Sequence, residues 1–295
     1  MRELLVLSGK GGTGKTSLTA AFAHLAREAV LCDLDVDAPD LHILLQPEIE
    51  TREDFIAGHE AVIDPAACTG CGQCAERCRF GAVVVEKGGV HIDPLKCEGC
   101  KVCVHFCPEG AIAFPERRCG EWYRSRTRFG PLVHARLLPG AENSGRLVAL
   151  LREKSRELAR SAGYRLILAD GAPGIGCPVI SSLSGADAAV VVTEPTPSGI
   201  HDLERVIGLC RHFRVPAGVI VNKADLAPEN TASLKSWGQA NGIACLGELD
   251  YDDRFTAAMI RRQALTEWCN DGPAAELHRI WNCIRKWISR QARAA

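Results

Sequence analysis

The chain has 295 residues, enough for roughly two domains and a sizeable core. Hydrophobic residues make up 46% and charged residues 24%, an ordinary globular composition that excludes wholesale disorder. A formal charge of -1 argues against a protein whose main task is gripping nucleic-acid phosphates, so no nucleic-acid partner is expected.

Met1 leads almost directly into the apolar run Leu4 to Leu7, without a signal-peptide pattern, and no apolar stretch is long enough for a bilayer. The expected setting is soluble and cytoplasmic. There, 15 cysteines speak for metal ligation rather than disulfides.

The first predicted strand covers residues 2–7, followed by a Gly-rich loop, Ser8 to Thr16, and a helix from Ser17 to Arg27. A second strand, Val30 to Cys32, runs into the acidic turn Asp33-Leu34-Asp35-Val36-Asp37. Between about residues 58 and 116 the rhythm breaks. It resumes with the short continuous apolar runs Arg165 to Ala169, Ala188 to Val192 and Gly218 to Val221, separated by helical stretches. Strands buried on both faces read this way, so the fold class is α/β, a parallel sheet with helices on either side.

Gly9-Lys10-Gly11-Gly12-Thr13-Gly14-Lys15-Thr16 fits G-x-x-x-x-G-K-[ST] between a predicted strand and a predicted helix, the context that a P-loop NTPase requires. Glycines let consecutive N–H groups face a phosphate at a helix N-terminus, Lys15 adds charge, and Thr16 offers a hydroxyl to Mg²⁺. Gly11, Gly12, Thr13, Gly14, Lys15, Thr16 and Ser17 are the candidate nucleotide-binding residues. A merely flexible glycine loop is the bland alternative.

The second lysine in the loop, Lys10 of KGGTGKT, resembles the deviant phosphate loop of the MinD/ParA ATPases. That resemblance implies that Lys10 reaches a partner subunit's nucleotide in a dimer, homomeric or formed with a related ATPase. Asp33-Leu34-Asp35 resembles the family's first switch, with Asp35 near the attacking water and Mg²⁺. Asp170-Gly171-Ala172-Pro173-Gly174 resembles the second, with Asp170 facing the metal. Val221-Asn222-Lys223-Ala224-Asp225 resembles the base-recognition turn, with Asn222 as the adenine contact. The catalytic set implied is Lys10, Lys15 and Asp35, and the Mg²⁺ set Thr16, Asp35 and Asp170. Hydrolysis of ATP to ADP is expected to be slow and partner-stimulated, because it rests on positioning water and completing the site in trans.

Eight cysteines fall between Cys68 and Cys107 as two copies of C-x₂-C-x₂-C-x₃-C, offset by 29 residues from Cys68 to Cys97 and from Cys78 to Cys107. This is the run of two-cluster bacterial ferredoxins, in which the fourth thiolate ligates the other cluster. It predicts one 4Fe-4S cluster on Cys68, Cys71, Cys74 and Cys107, and another on Cys97, Cys100, Cys103 and Cys78. Zinc sites or a disulfide scaffold are the alternatives; zinc runs usually pair two cysteines across a long spacer. Arg79 follows Cys78 where Pro108 follows Cys107, and its charge predicts a higher potential for the second cluster. The repeat reads as a small α+β bacterial-ferredoxin domain, residues 58–115, inserted into an ATPase domain of residues 1–57 and 116–295.

The whole chain resembles MinD-superfamily ATPases with an inserted ferredoxin domain, a group linked to redox complexes and metal-cofactor assembly. The resemblance implies an ATP-binding dimer in which nucleotide state is coupled to electron transfer or cofactor assembly on a partner. The alternatives are an iron-sulfur carrier or scaffold, and a MinD-like positioning ATPase with redox-sensing clusters.

Weaker signals have bland readings beside sharp ones. Cys177 reads as a small buried residue or as an interfacial thiol, and Cys32, Cys119, Cys210, Cys245, Cys269 and Cys283 carry no metal spacing. Arg117, Arg118, Arg124, Arg126, Arg128 and Arg136 form a basic stretch, either a partner surface or a solvated connector. Leu277, Ile280, Trp281, Ile284, Trp287 and Ile288 follow helical spacing and are expected to pack on their own domain rather than hold a membrane.

Overall fold

The computed structural model describes residues 1–294. In chain order its first elements are β1 (Arg2–Ser8), α1 (Lys15–Ala26), β2 (Ala29–Asp33), α2 (Leu41–Leu45), β3 (Glu48–His59), β4 (Val62–Ile63), α3 (Gln73–Arg77), β5 (Val83–Glu86), β6 (Gly89–Ile92), α4 (Val102–His105) and β7 (Ile112–Ala113). Then come β8 (Glu116–Thr127), β9 (Gly130–Leu137), α5 (Ser144–Ala162), β10 (Leu166–Pro173), α6 (Cys177–Leu183), β11 (Ala188–Thr193), α7 (Pro197–His212) and β12 (Ala217–Asn222). The chain closes with α8 (Pro228–Ala240), β13 (Ala244–Leu249), α9 (Arg254–Ile260), α10 (Leu265–Trp268) and α11 (Pro273–Ala294).

One sheet carries nine strands in the order β13-β12-β11-β1-β10-β2-β9-β8-β3. Strands β13 through β9 in that order pair parallel. The central strands carry no polar face: β11 is buried at all six positions and β2 at all five. That is the consequence of helices covering both sides of a parallel sheet. Asp170 sits opposite Asp33 in the β10–β2 register, so the acidic ends of these two strands share one sheet edge.

The chain divides into two compact units. The first comprises residues 1–53, 122–136 and 144–295, and the second 54–121 and 137–143. The second unit is wider than 58–115 and takes back a short return segment. It contains two small antiparallel pairs, β4–β7 and β5–β6, around a cluster of Ala61, Ile63 and Ile112. Cys68, Cys74, Cys97, Cys103 and Cys107 pack against that cluster, so thiols occupy much of the interior.

α11 lays Leu277, Ile280, Trp281 and Ile284 into the core of the first unit, with Trp281 stacked on Phe22 of α1 at 5.4 Å. Its apolar stripe is used by its own domain. No helix among the described residues is long and apolar enough to cross a membrane.

The basic stretch after the cysteines is not an irregular connector: it lies in β8, in the turn to β9 and in β9 itself. Arg124 pairs with Glu50 at 3.4 Å, Arg126 with Glu48 at 2.6 Å and Arg128 with Glu267 at 2.7 Å. On the same hairpin, His134 is buried, shares a hydrogen bond of 2.8 Å between its Nε2 and Ser125 Oγ, and stacks on Tyr123.

Candidate functional site

β1 ends at Ser8, and the loop to α1 turns on two left-handed glycines, Gly12 (φ 82) and Gly14 (φ 88). At Gly14 no side chain fits, because a Cβ would stand 2.5 Å from the Asn222 amide nitrogen. That nitrogen donates to the Thr13 carbonyl at 2.8 Å, and Lys223 Nζ donates to the Gly12 carbonyl at 3.3 Å. Asn222 is therefore a brace of the phosphate loop, whatever else it touches. Gly11 is open to solvent, and Ser17 brings its hydroxyl 3.5 Å from Met259 Sδ.

Lys15, Thr16, Asp35 and Asp170 converge. Lys15 Nζ lies 2.9 Å from Asp170 Oδ1 and 3.6 Å from Asp35 Oδ2, and Thr16 Oγ1 donates to Asp170 Oδ2 at 2.8 Å. Burial works to lower the Lys15 ammonium pKa, but Asp170 and Asp35 outweigh it and hold the group above its ordinary value. Burial lifts the Asp35 carboxyl in spite of Lys15. Asp33 is buried and shapes the turn, accepting from Asp35 N at 3.1 Å and Leu41 N at 3.2 Å; burial and then Asp170 push its carboxyl well up. Among the described residues, Thr13 Oγ1 is buried without a hydrogen-bond partner.

Lys10 is turned to Glu194, Nζ to Oε2 at 3.1 Å, and lies 3.3 Å from both Thr196 Oγ1 and Ser198 Oγ. Glu194 also pairs with Lys223. Burial pushes the Glu194 carboxyl up, but Lys223 and Lys10 prevail and hold it below the usual carboxylate range. Sequence reasoning gave this residue, which stands just past the buried strand β11, no role in the site.

In the second unit, Cys68, Cys71, Cys74 and Cys107 line one cavity, and Cys78, Cys97, Cys100 and Cys103 line another. The fourth cysteine of each run thus joins the first three of the other. Ala82 N donates to Cys78 Sγ at 3.4 Å and Ala111 N to Cys107 Sγ at 3.3 Å. Burial raises the Cys78 thiol pKa, but the N–H groups of Ala82, Phe80, Val83 and Gly81 outweigh it and lower the value. Gly99 (φ 59) is required, since a Cβ would stand 2.3 Å from the His59 carbonyl oxygen. Arg117 donates to the carbonyls of Cys97 at 3.2 Å and Pro94 at 3.0 Å. Among the described residues, no three His, Cys, Asp or Glu groups converge closely enough to hold a single metal ion.

Cys177 is exposed at the start of α6, contrary to the buried reading; Cys245 and Cys283 are exposed too, whereas Cys32, Cys119 and Cys210 are buried.

Residues 4–265 match the CobQ/CobB/MinD/ParA nucleotide binding domain. An uncharacterized protein of Methanocaldococcus jannaschii is 33% identical over 224 residues, covering 75% of this chain and 78% of that one. The structure is similar to the cell division ATPase MinD of Pyrococcus furiosus, with TM-score 0.59, 16% identity and coverage of 97% and 99%. It is also similar to the septum site-determining protein MinD of Pyrococcus horikoshii, solved with Mg-ADP, with TM-score 0.60, 15% identity and 98% of each chain covered. At these identities the two structures speak for the fold alone.

Proposed function

The chain belongs to the CobQ/CobB/MinD/ParA nucleotide-binding family, and from that premise we propose that it is a dimeric ATPase carrying two 4Fe-4S clusters in a ferredoxin-like insert. Its nucleotide state is coupled to electron transfer, or to metal-cofactor assembly, on a partner protein. The observation that carries the reading is the crossed lining of the two cysteine cavities in a chain that also has a phosphate loop.

The residues present fit the clusters. Each cavity has four thiols of the right kind, and Cys78 and Cys107 each receive a backbone N–H, which stabilises thiolate. A four-iron cube takes one thiolate per iron, so the four cysteines lining each cavity match its ligand count. The small aliphatic cluster also leaves the second unit short of the core by which a unit of this size holds itself together. When bound, each cluster supplies one-electron chemistry.

For ATP, the Thr13 hydroxyl and Lys15 ammonium bind phosphate oxygens, and Thr16 and Asp170 would hold Mg²⁺. The Mg-ADP in the P. horikoshii structure supports a magnesium nucleotide as the ligand. Asp35 orients the attacking water, and Lys10, released from Glu194, meets the nucleotide across the dimer.

A cluster carrier is the second reading, favoured by the exposure of Cys71 and Cys100, one thiol in each cavity. The membrane-positioning reading loses its helix, because the α11 stripe is buried.

Anaerobic purification followed by iron and acid-labile sulfide analysis tests the proposal. The expected result is about eight of each per chain, as two cubanes require, with ATPase activity lost in Lys15→Ala. Zinc without labile sulfide would overturn it. Transfer of iron and sulfide to an apo-protein would favour the carrier.

A further inference from the structure

Because the two cysteine runs are copies of one unit, each surface position over one cavity has a counterpart 29 residues away over the other. The backbone keeps that correspondence. Asp64 Oδ1 accepts from Ala66 N at 2.9 Å and Asp93 Oδ1 from Leu95 N at 3.0 Å, and the bond from Ala82 to Cys78 matches that from Ala111 to Cys107. With a shared backbone, a difference in side-chain character marks a task that one copy performs and the other does not.

Four exposed positions over the second cavity differ in kind from their counterparts. Lys101 and Val102 stand where the first run has Gly72 and Gln73; Arg79 and Phe80 stand where the second run has Pro108 and Glu109. Phe80, Lys101 and Val102 line the second cavity, and Phe80 is 46% and Val102 38% exposed. The Arg77 guanidinium lies 4.1 Å from the centre of the Phe106 ring, and these two residues are counterparts in the two runs, so their contact is common to both copies. The rim of the second cavity thus presents two large exposed apolar side chains, Phe80 and Val102, with Lys101 in its lining and Arg79 next to Phe80 in the chain. Glu98 is the acid in that cavity's lining, while the first cavity is lined by Gln73, Pro108 and Glu109 with no cation among the described residues.

Exposed apolar groups gathered in one place mark an interaction site, and the charge around them selects the partner and speeds encounter. Electron-transfer complexes use small interfaces of this kind. We infer that the α3–α4 surface over the second cavity docks an acidic electron-carrier protein. The inference rests on the iron-sulfur reading above. One electron leaves the reduced centre of the carrier and is taken up by the cluster on Cys78, Cys97, Cys100 and Cys103; no bond is made or broken. In a chain of net charge -1, the steering comes from this local excess of cations.

The test uses the full-length, cluster-loaded protein and a reduced flavodoxin of acidic surface as probe, mixed in stopped flow. The second-order rate is expected to fall on the order of tenfold from low to high ionic strength. At low salt, Arg79→Glu with Lys101→Glu should slow it by a similar factor and weaken the complex in calorimetry. Gln73→Glu, over the first cavity, should leave the rate within about twofold. Iron and sulfide content should stay at wild-type values in both variants, which separates lost docking from lost clusters, and the calorimetric loss of affinity separates it from the lower potential of the second cluster that removal of the Arg79 charge also brings. A rate indifferent to salt and to the double variant, with clusters intact, would overturn the inference alone. So would equal slowing by Gln73→Glu. Wild-type protein without iron and labile sulfide would overturn the underlying reading instead.

Discussion

Lowering the pH from 7.5 to 5.0 should destabilise the nucleotide-binding unit through His134. The imidazole is 7% exposed, and burial, helped by the neighbouring His42, lowers its pKa from 6.5 to about 4. A lowered folded-state value means that the unfolded chain takes the proton first as pH falls. The stability that neutral His134 contributes is therefore whole above 6.5 and is lost progressively between 6.5 and 4. At pH 5 the two protonation factors differ by about 30-fold, or about 2 kcal/mol, against almost nothing at pH 7.5. Urea unfolding of wild type and His134→Gln at both pH values isolates this contribution, because the other titrating groups are common to both. Wild type should lose about 2 kcal/mol more than the variant over the interval. Equal losses would refute the argument from burial.

Three further outcomes are expected from the site geometry. Glu194→Gln frees Lys10 from a partly exposed ion pair worth about 1 kcal/mol, so ATP should bind about fivefold more tightly by calorimetry. In a Lys10→Ala background it should have no effect, and unchanged or weaker binding in the single variant would contradict the release of Lys10. Gly14→Ala requires a left-handed alanine against the Asn222 amide, and should weaken ATP binding about 100-fold or more while the far-ultraviolet spectrum stays native; near-normal affinity would refute the fit. Gly99→Ala drives a methyl onto the His59 carbonyl and should cost the second cluster but spare the first. Its iron content should fall by about half, and full iron loading would show that the loop yields.

Elements whose pattern comes from one dominant physical demand were legible in the sequence. The buried strands β1, β2, β10, β11 and β12 read as unbroken apolar runs because both of their faces are covered. The phosphate loop was legible because backbone curvature and anion binding restrict its residues severely. Its helix begins at Lys15, two residues before the expected Ser17, since the loop glycine Gly14 itself forms the N-cap. β3, β8 and β9 were not legible. At the sheet margin β8 carries arginines against glutamates of β3, so a paired edge looks like a charged linker in one dimension. β13 was missed as well, because Gly247 and Glu248 interrupt its apolar run; Gly247 is there because a Cβ would stand 2.3 Å from Ile280. The role of Glu194 is not legible in its own segment, because only the fold brings it to Lys10 and Lys223. The exposure of Cys177 follows from its place at the first position of α6, a start that Gly176 and Pro178 mark in the sequence.

Coupling between nucleotide and cluster is the central claim, and an anaerobic potentiometric titration followed by EPR, first with ADP and then with ATP, tests it most directly. A tenfold change in nucleotide affinity between cluster oxidation states appears as a shift of about 59 mV for one electron. The account predicts two cubane signals, at least one of which moves by that order when ATP replaces ADP. Two cubane signals with identical potentials in both nucleotides would contradict the coupling.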